Sequence, residues 1–352
     1  MKPLLALALV ASLLGGPALA ADITLLVGFP PGQGADAETT PDAAAAVPGQ
    51  RLTTEPTYEE SGRFYAERLG AFLPGAPKVT MKLAPGAASL LAARRMLTAP
   101  GDGSVIALLG PRVALEPLMG AANAPWRPGD FAWIGARQRD DDVCVARGDA
   151  PARALDDLRR HELFAAALTP GSRGYLYARA LNELGGAKLK IISGYGSEFE
   201  AARALDTGEA NFWCGWSMNA LRYRHDDLLR DGRVRPLVQF STSPVPLGAG
   251  PPRASDWPER DMDREAMRAI ESQTRFGAFA LAAPPSMPPA VLATLRAGFL
   301  AMLRDPETRR LAGQRNMDVD PVPGEELAVL ARDLEATSLA ARERLRVVLR
   351  ER

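Results

Sequence analysis

The groups best placed to do chemistry in this chain belong to the backbone. The stretch Ile23–Asp36, ITLLVGFPPGQGAD, runs from an apolar strand into a turn of two prolines and two glycines. Pro30 and Pro31 stiffen that turn, while Gly32 and Gly34 let it take dihedrals closed to other residues. A strand ending this way aims main-chain N–H groups beyond the sheet edge, where an anion can accept them. Three later turns repeat the arrangement: Thr169-Pro170-Gly171-Ser172-Arg173-Gly174, Ser193-Gly194-Tyr195-Gly196 and Cys214-Gly215-Trp216-Ser217. Conventional catalytic groups are sparse. His161 and His225 sit among charged neighbours, not at metal-ligand spacing. Gly171-Ser172-Arg173-Gly174 is not the G-x-S-x-G elbow of a hydrolase, and the glycines of 28–34 are wrongly spaced for a dinucleotide. Neither a metal nor a cofactor is expected. The pattern points to binding, not to an enzyme.

The elements that must hold these turns alternate along the chain. Strands are predicted over 23–28, 78–83, 104–109 and 131–136, with helices from 61 and over 88–98. A second series follows: strands over 143–146, 163–168, 189–192, 210–214 and 235–240, with helices over 152–161, 175–184 and 198–206. Beyond a Pro-rich stretch come a strand over 275–283, helices over 290–303 and 325–349, and a short strand near Val319. Repeated strand–turn–helix units predict parallel sheets, with ligands at the carboxyl ends of the strands. Segment 37–60, dominated by Ala, Thr, Pro and Glu, has no apolar period and reads as an irregular insertion.

Composition sets the frame. Residues 1–20 read as a secretory signal: Lys2, an apolar run Leu4–Leu14, and Ala18-Leu19-Ala20 as the cleavage site. No cysteine lies near the cut. With 42 basic and 42 acidic residues, removal of Lys2 leaves 41 against 42, a net charge of −1. That balance gives no electrostatic footprint for nucleic acid or for an anionic membrane surface. The length calls for two lobes: residues 21–140 with 241–352 as a discontinuous first, and 141–240 as an inserted second. Cys144 and Cys214 are an even pair in an exported chain, which favours a disulfide over two buried thiols.

The chain resembles the extracytoplasmic solute receptors of tripartite tricarboxylate transporters, the Bug-type family. The resemblance rests on an ordered set of short motifs: Ile23–Asp36, Ala84-Pro85-Gly86-Ala87, Asp102-Gly103, Phe131–Gly135, Val143-Cys144-Val145, Ile192–Gly196, Cys214–Ser217, Asp305-Pro306-Glu307 and Asp320–Glu325. It implies a two-lobed α/β periplasmic-binding-protein (Venus-flytrap, type II-like) architecture in the periplasm of a Gram-negative bacterium. It implies a monomer that captures a small carboxylate and delivers it to the integral-membrane permease subunits. Carried over by motif, the first-lobe loop offers Pro31, Gly32, Gln33, Gly34 and Asp36. The second-lobe loop offers Thr169, Gly171, Ser172 and Arg173, with Tyr195, Trp216 and Ser217 lining the wall. Two features stand apart from the family pattern: Gln33 in place of a glycine, and the insertion directly after Asp36. The same lobes would also serve a receptor that presents its ligand state to a sensor partner instead of a permease.

Overall fold

Short apolar runs punctuated by Gly and Pro form eleven strands among the described residues of the computed structural model, which are 19–31, 56–139, 141–168, 170, 172–196, 198–223, 226–242 and 250–349. The strands are β1 (Asp22–Val27), β2 (Lys78–Leu83), β3 (Val105–Leu109), β4 (Ala132–Ala136), β5 (Asp142–Arg147), β6 (Leu163–Ala167), β7 (Leu189–Ser193), β8 (Phe212–Ser217), β9 (Val234–Phe240), β10 (Ala280–Ala283) and β11 (Val322–Pro323). They make a six-stranded sheet, β11-β4-β10-β3-β1-β2, and a five-stranded sheet, β7-β6-β8-β5-β9. The fold is a two-lobed α/β architecture. The first sheet takes strands from 22–136 and 280–323, the second from 142–240.

Both sheets are mixed where the strand–turn–helix units predict parallel pairing. β1, β2 and β3 pair in parallel, and β10 runs against β3 and β4. In the second sheet β6 is parallel to β7 and β8, while β5 runs against β8 and β9. The cause is the crossover between lobes. The chain leaves the carboxyl end of β4 and enters β5 after five residues, so Asp142 lies beside Ser217 at the carboxyl end of β8. Likewise β10 begins with Ala280 opposite Leu109, the carboxyl end of β3. A strand arriving from the other lobe must start where its neighbours finish. As a result, the carboxyl ends of both sheets face the junction.

The core divides along the same lines. One apolar cluster fills the face shared by both sheets, from Ala107 and Trp133 through Cys144 and Phe212 to Leu345. Separate clusters cover the outer face of the first sheet, around Leu25, Tyr65 and Phe299, and of the second, around Val143, Trp213 and Leu221. Helices Asp261–Glu271 and Leu339–Leu349 pack on each other and on helix Arg173–Gly185. No helix among the described residues is long and apolar enough to cross a membrane.

Several local expectations need correction. The insertion ends in helix Tyr58–Arg68, which starts three residues early because Thr57 caps it: Glu60 N–H donates to Thr57 Oγ1 and Thr57 N–H to Glu60 Oε2. Residues 152–161 form only a short 3₁₀ turn, Leu155–Arg159. The predicted strand 275–283 is β10 preceded by helix Gln273–Phe276, since Arg275 is drawn into an ion pair with Asp141. Helix 325–349 is two helices, Gly324–Glu335 and Leu339–Leu349, broken where Ser338 Oγ accepts the Ala341 N–H. The final strand lies at Val322–Pro323 and not at Val319. The four residues 214–217 are the end of β8, fully buried, and not a turn.

Candidate ligand-binding cleft

The two rims of the junction are built differently. On the first, β1 is followed by Gly28, whose N–H donates to Leu108 O at 3.2 Å. A Cβ on Gly28 would lie 2.3 Å from Ser89 Oγ, so only glycine lets the loop approach Ser89 this closely. Ser89 is itself buried, and its Oγ accepts the Gly110 N–H at 3.0 Å, which fastens the ends of β1 and β3 to the turn after β2. In that turn Ala87, Ala88 and Ser89 are all left-handed, with φ of 47°, 49° and 78°. Such backbone costs roughly 1–2 kcal/mol per non-glycine residue. The N–H groups of these three residues donate to no partner among the described residues. Ala87 is exposed and Ala88 half-buried, so two successive donors are accessible there, the arrangement that anions accept, while Ser89 is wholly buried. Pro31 is exposed.

The second rim is a helix terminus. Ser172 caps helix Arg173–Gly185, accepting the Tyr175 N–H on Oγ at 3.4 Å. Gly174 puts the first turn directly on β8, because a Cβ there would meet Cys214 O at 2.6 Å. Gly215, at φ 89°, answers from the other side; its own Cβ would stand 3.2 Å from Gly174 N. Open N–H groups and the helix dipole favour an anion at this point by about 0.3–1 kcal/mol in exposed settings, more where water is excluded. Trp216 and Ser217 end β8 beside it, both buried.

The side chains take a different part from the one their types suggest. Arg173 turns its guanidinium onto Asp142, with Nη1 3.3 Å from Oδ1 and only 11 % of the side chain exposed. Asp142 is fully buried and also accepts the Tyr177 hydroxyl on Oδ2 at 2.7 Å. Arg173 thus fastens the helix to β5, with its charge offset. Tyr195 commits its hydroxyl to Glu209 Oε1 at 2.8 Å; loss of solvent and that carboxylate push it up to about 12. Arg112 pairs with Glu116, its Nε 2.7 Å from Oε1. The Cys144–Cys214 disulfide joins β5 to β8 directly behind this rim. Gly32, Gln33, Gly34, Asp36, Thr169 and Gly171 lie outside the described residues, as does His225.

Behind both rims the crossovers are tied together. Arg275, wholly buried, donates from Nη1 to Asp141 Oδ1 at 2.7 Å. The Ser241 hydroxyl reaches the same oxygen, and Met218 N–H donates to Asp141 O at 2.8 Å. Arg139 grips Glu326 with two 2.6 Å bonds, which hold the Glu326 carboxyl below its usual range. Among the described residues no group of His, Cys, Asp or Glu could hold a metal ion. The arrangement is suited to holding an anion between two sets of main-chain donors.

Asp142, which holds Arg173, and the turn Ala87–Ser89 were not among the residues singled out from the sequence. A buried aspartate at a strand start has no local signature, and alanines carry no turn signal. Only Gly86 hinted at the second feature.

No protein-family model matches the sequence, and no curated protein does. Solved structures do. A TctC solute binding protein from Polaromonas superposes with a TM-score of 0.64 at 20 % identity, covering 93 % of this chain and 98 % of that one. A protein from R. palustris solved with adipate gives 0.53 at 17 % identity, over 93 % and 97 %. MatC from Rhodopseudomonas palustris, with bound malate, gives 0.50 at 18 % identity, over 94 % and 99 %. This chain shares their fold. The overlap spans nearly the whole of each chain, both sheets included.

Proposed function

We propose that the protein is a periplasmic receptor of the Bug type that captures a small carboxylate between its lobes and delivers it to the permease subunits of a tripartite tricarboxylate-type transporter. The observation that supports the reading is that each sheet carries a set of main-chain donors after the carboxyl end of a strand, the left-handed turn Ala87–Ser89 after β2 and the capped start of helix Arg173–Gly185 after β6. Adipate and malate, held by proteins of the same fold, are ligands of the matching chemistry. On this reading residues 1–20 are removed on export, residues 21–140 with 241–352 form one lobe, 141–240 the other, and the mature protein is a monomer. On the same reading Pro31, Gly32, Gln33, Gly34 and Asp36 contribute to binding, as the motif resemblance implies. Arg173 acts through Asp142 to position the helix start, leaving main-chain amides and Ser217 to meet the ligand.

A thermal-shift screen of purified protein against mono-, di- and tricarboxylates, aromatic acids and amino acids tests the binding. A ligand at a hundred times its dissociation constant should add roughly 2.7 kcal/mol of stability. No shift from any acid would remove the reading. Deleting the gene then tests the partner: lost uptake of the identified acid supports the permease, and unchanged uptake opposes it.

A further inference from the structure

A cavity of about 320 Å³ lies in the seam between helix Gly324–Glu335 and the segment that follows β9, and shares no lining residue with either rim of the cleft. One wall is helix Gly324–Glu335, which packs on β4 of the first sheet. The facing wall is Thr242, just beyond β9, and Arg253, whose backbone bridges Gln239 of β9 in the second sheet. Helix Asp261–Glu271 closes the base. The volume sits at the small end of the range of ligand pockets.

The charges lining it sort into two groups. Arg253 is held by Asp256 at 3.0 and 3.1 Å, and Glu265 by the backbone and hydroxyl of Ser338 at 2.6 Å each. Three others face the cavity without such closure. Glu271 is 2 % exposed and gives one oxygen to Ser255 N–H at 2.9 Å. Arg268 and Asp333, exposed at the rim, have no hydrogen-bond or ion-pair partner among the described residues. Ala269, Leu330 and Leu334 supply an apolar floor. A buried carboxylate with an acidic neighbour and a free guanidinium, spread over an apolar base, complements one ligand class best. An ammonium answers Glu271 and Asp333, a carboxylate answers Arg268, and a few methylenes cover the floor.

We propose that this seam cavity is a second binding site, for a small zwitterion that carries an ammonium and a carboxylate on a short aliphatic chain. Occupancy ties helix Gly324–Glu335 to the segment that follows β9. Burial pushes the Glu271 carboxyl up to about 7, while Ser255 and Arg253 oppose that shift and Asp256 adds to it. The remaining charges facing the cavity are Glu265, Arg268 and Asp333. An ammonium favours the ionised carboxylate, so binding should tighten as the pH rises through that range.

The probe is 4-aminobutanoate, titrated calorimetrically into the full-length mature protein, with butylamine and butyrate as single-charge controls. The zwitterion should bind at least roughly tenfold more tightly than either control, and more tightly at pH 8 than at pH 6. Glu271→Gln, which keeps an acceptor for Ser255, and Arg268→Ala, at the exposed rim, should each weaken it by roughly tenfold or more while leaving carboxylate binding in the cleft unchanged. Failure of the probe to bind, or equal binding by both variants and the parent, overturns the proposal.

Discussion

The two rims of the cleft reach the same chemistry by opposite means. At Ala87–Ser89 the donors sit on strained backbone, held by the packing of buried Ser89 against Gly28 and Gly110 and by the Leu90 and Ala93 N–H groups donating to Ala87 O and Ser89 O. At Ser172–Gly174 the donors belong to the capped first turn of an unstrained helix, pinned by the Asp142–Arg173 ion pair and backed by a disulfide. On the receptor reading, presenting amides to an anion needs no particular side chain, only a fold that fixes the backbone. It also means the rims should fail differently.

The largest effect is expected at the pinned rim. Asp142→Ala leaves Arg173 buried without its carboxylate and should cost about 3–5 kcal/mol in urea unfolding. Arg173→Ala combined with it should recover part of that loss, and a double-mutant cycle with no coupling would remove the pinning role. Reduction of the Cys144–Cys214 bond, which closes a separation of 70 residues, should cost about 2–4 kcal/mol by the same assay.

The seam cavity, which shares no lining residue with either rim, is the next in size. In the unfolded chain Glu271 ionises near its ordinary 4.5, and in the folded protein only near 7. Between those values the unfolded state alone loses the proton. Stability is therefore expected to fall as pH rises from about 4.5 to 7, by up to about 3 kcal/mol, and Glu271→Gln should flatten that slope. An unchanged slope in the variant would show that Glu271 is not the group responsible.

At the strained rim the sign reverses. Ala88→Gly relieves a left-handed alanine and should raise stability by about 1 kcal/mol while weakening carboxylate binding, since the turn loses its fixed shape. Lower stability would mean the turn is not under strain.

Much of this architecture was legible in the sequence. Strand runs such as Val105–Leu109 and Leu163–Ala167 are apolar, short and closed by Gly or Pro, and the helix at Arg173 follows a recognisable cap. What could not be read depends on partners distant in sequence. The reversal of β5 and β10 follows from where the chain crosses between lobes, which no local pattern encodes. Arg275 leaves the strand predicted for it because Asp141, 134 residues earlier, takes its charge. Arg173 looked like a ligand contact for the same reason in reverse: its partner Asp142 lies 31 positions upstream, on another element.

The most direct test of the receptor reading is calorimetric titration of the mature protein with small dicarboxylates, alongside Gly174→Ala. The added methyl, 2.6 Å from Cys214 O, must push the helix start off β8. The expected result is saturable one-to-one binding by the parent and at least roughly tenfold weaker binding by the folded variant, as charge-assisted bonds to the helix amides are lost. No binding of any carboxylate by the parent, or equal binding by both proteins, would contradict it.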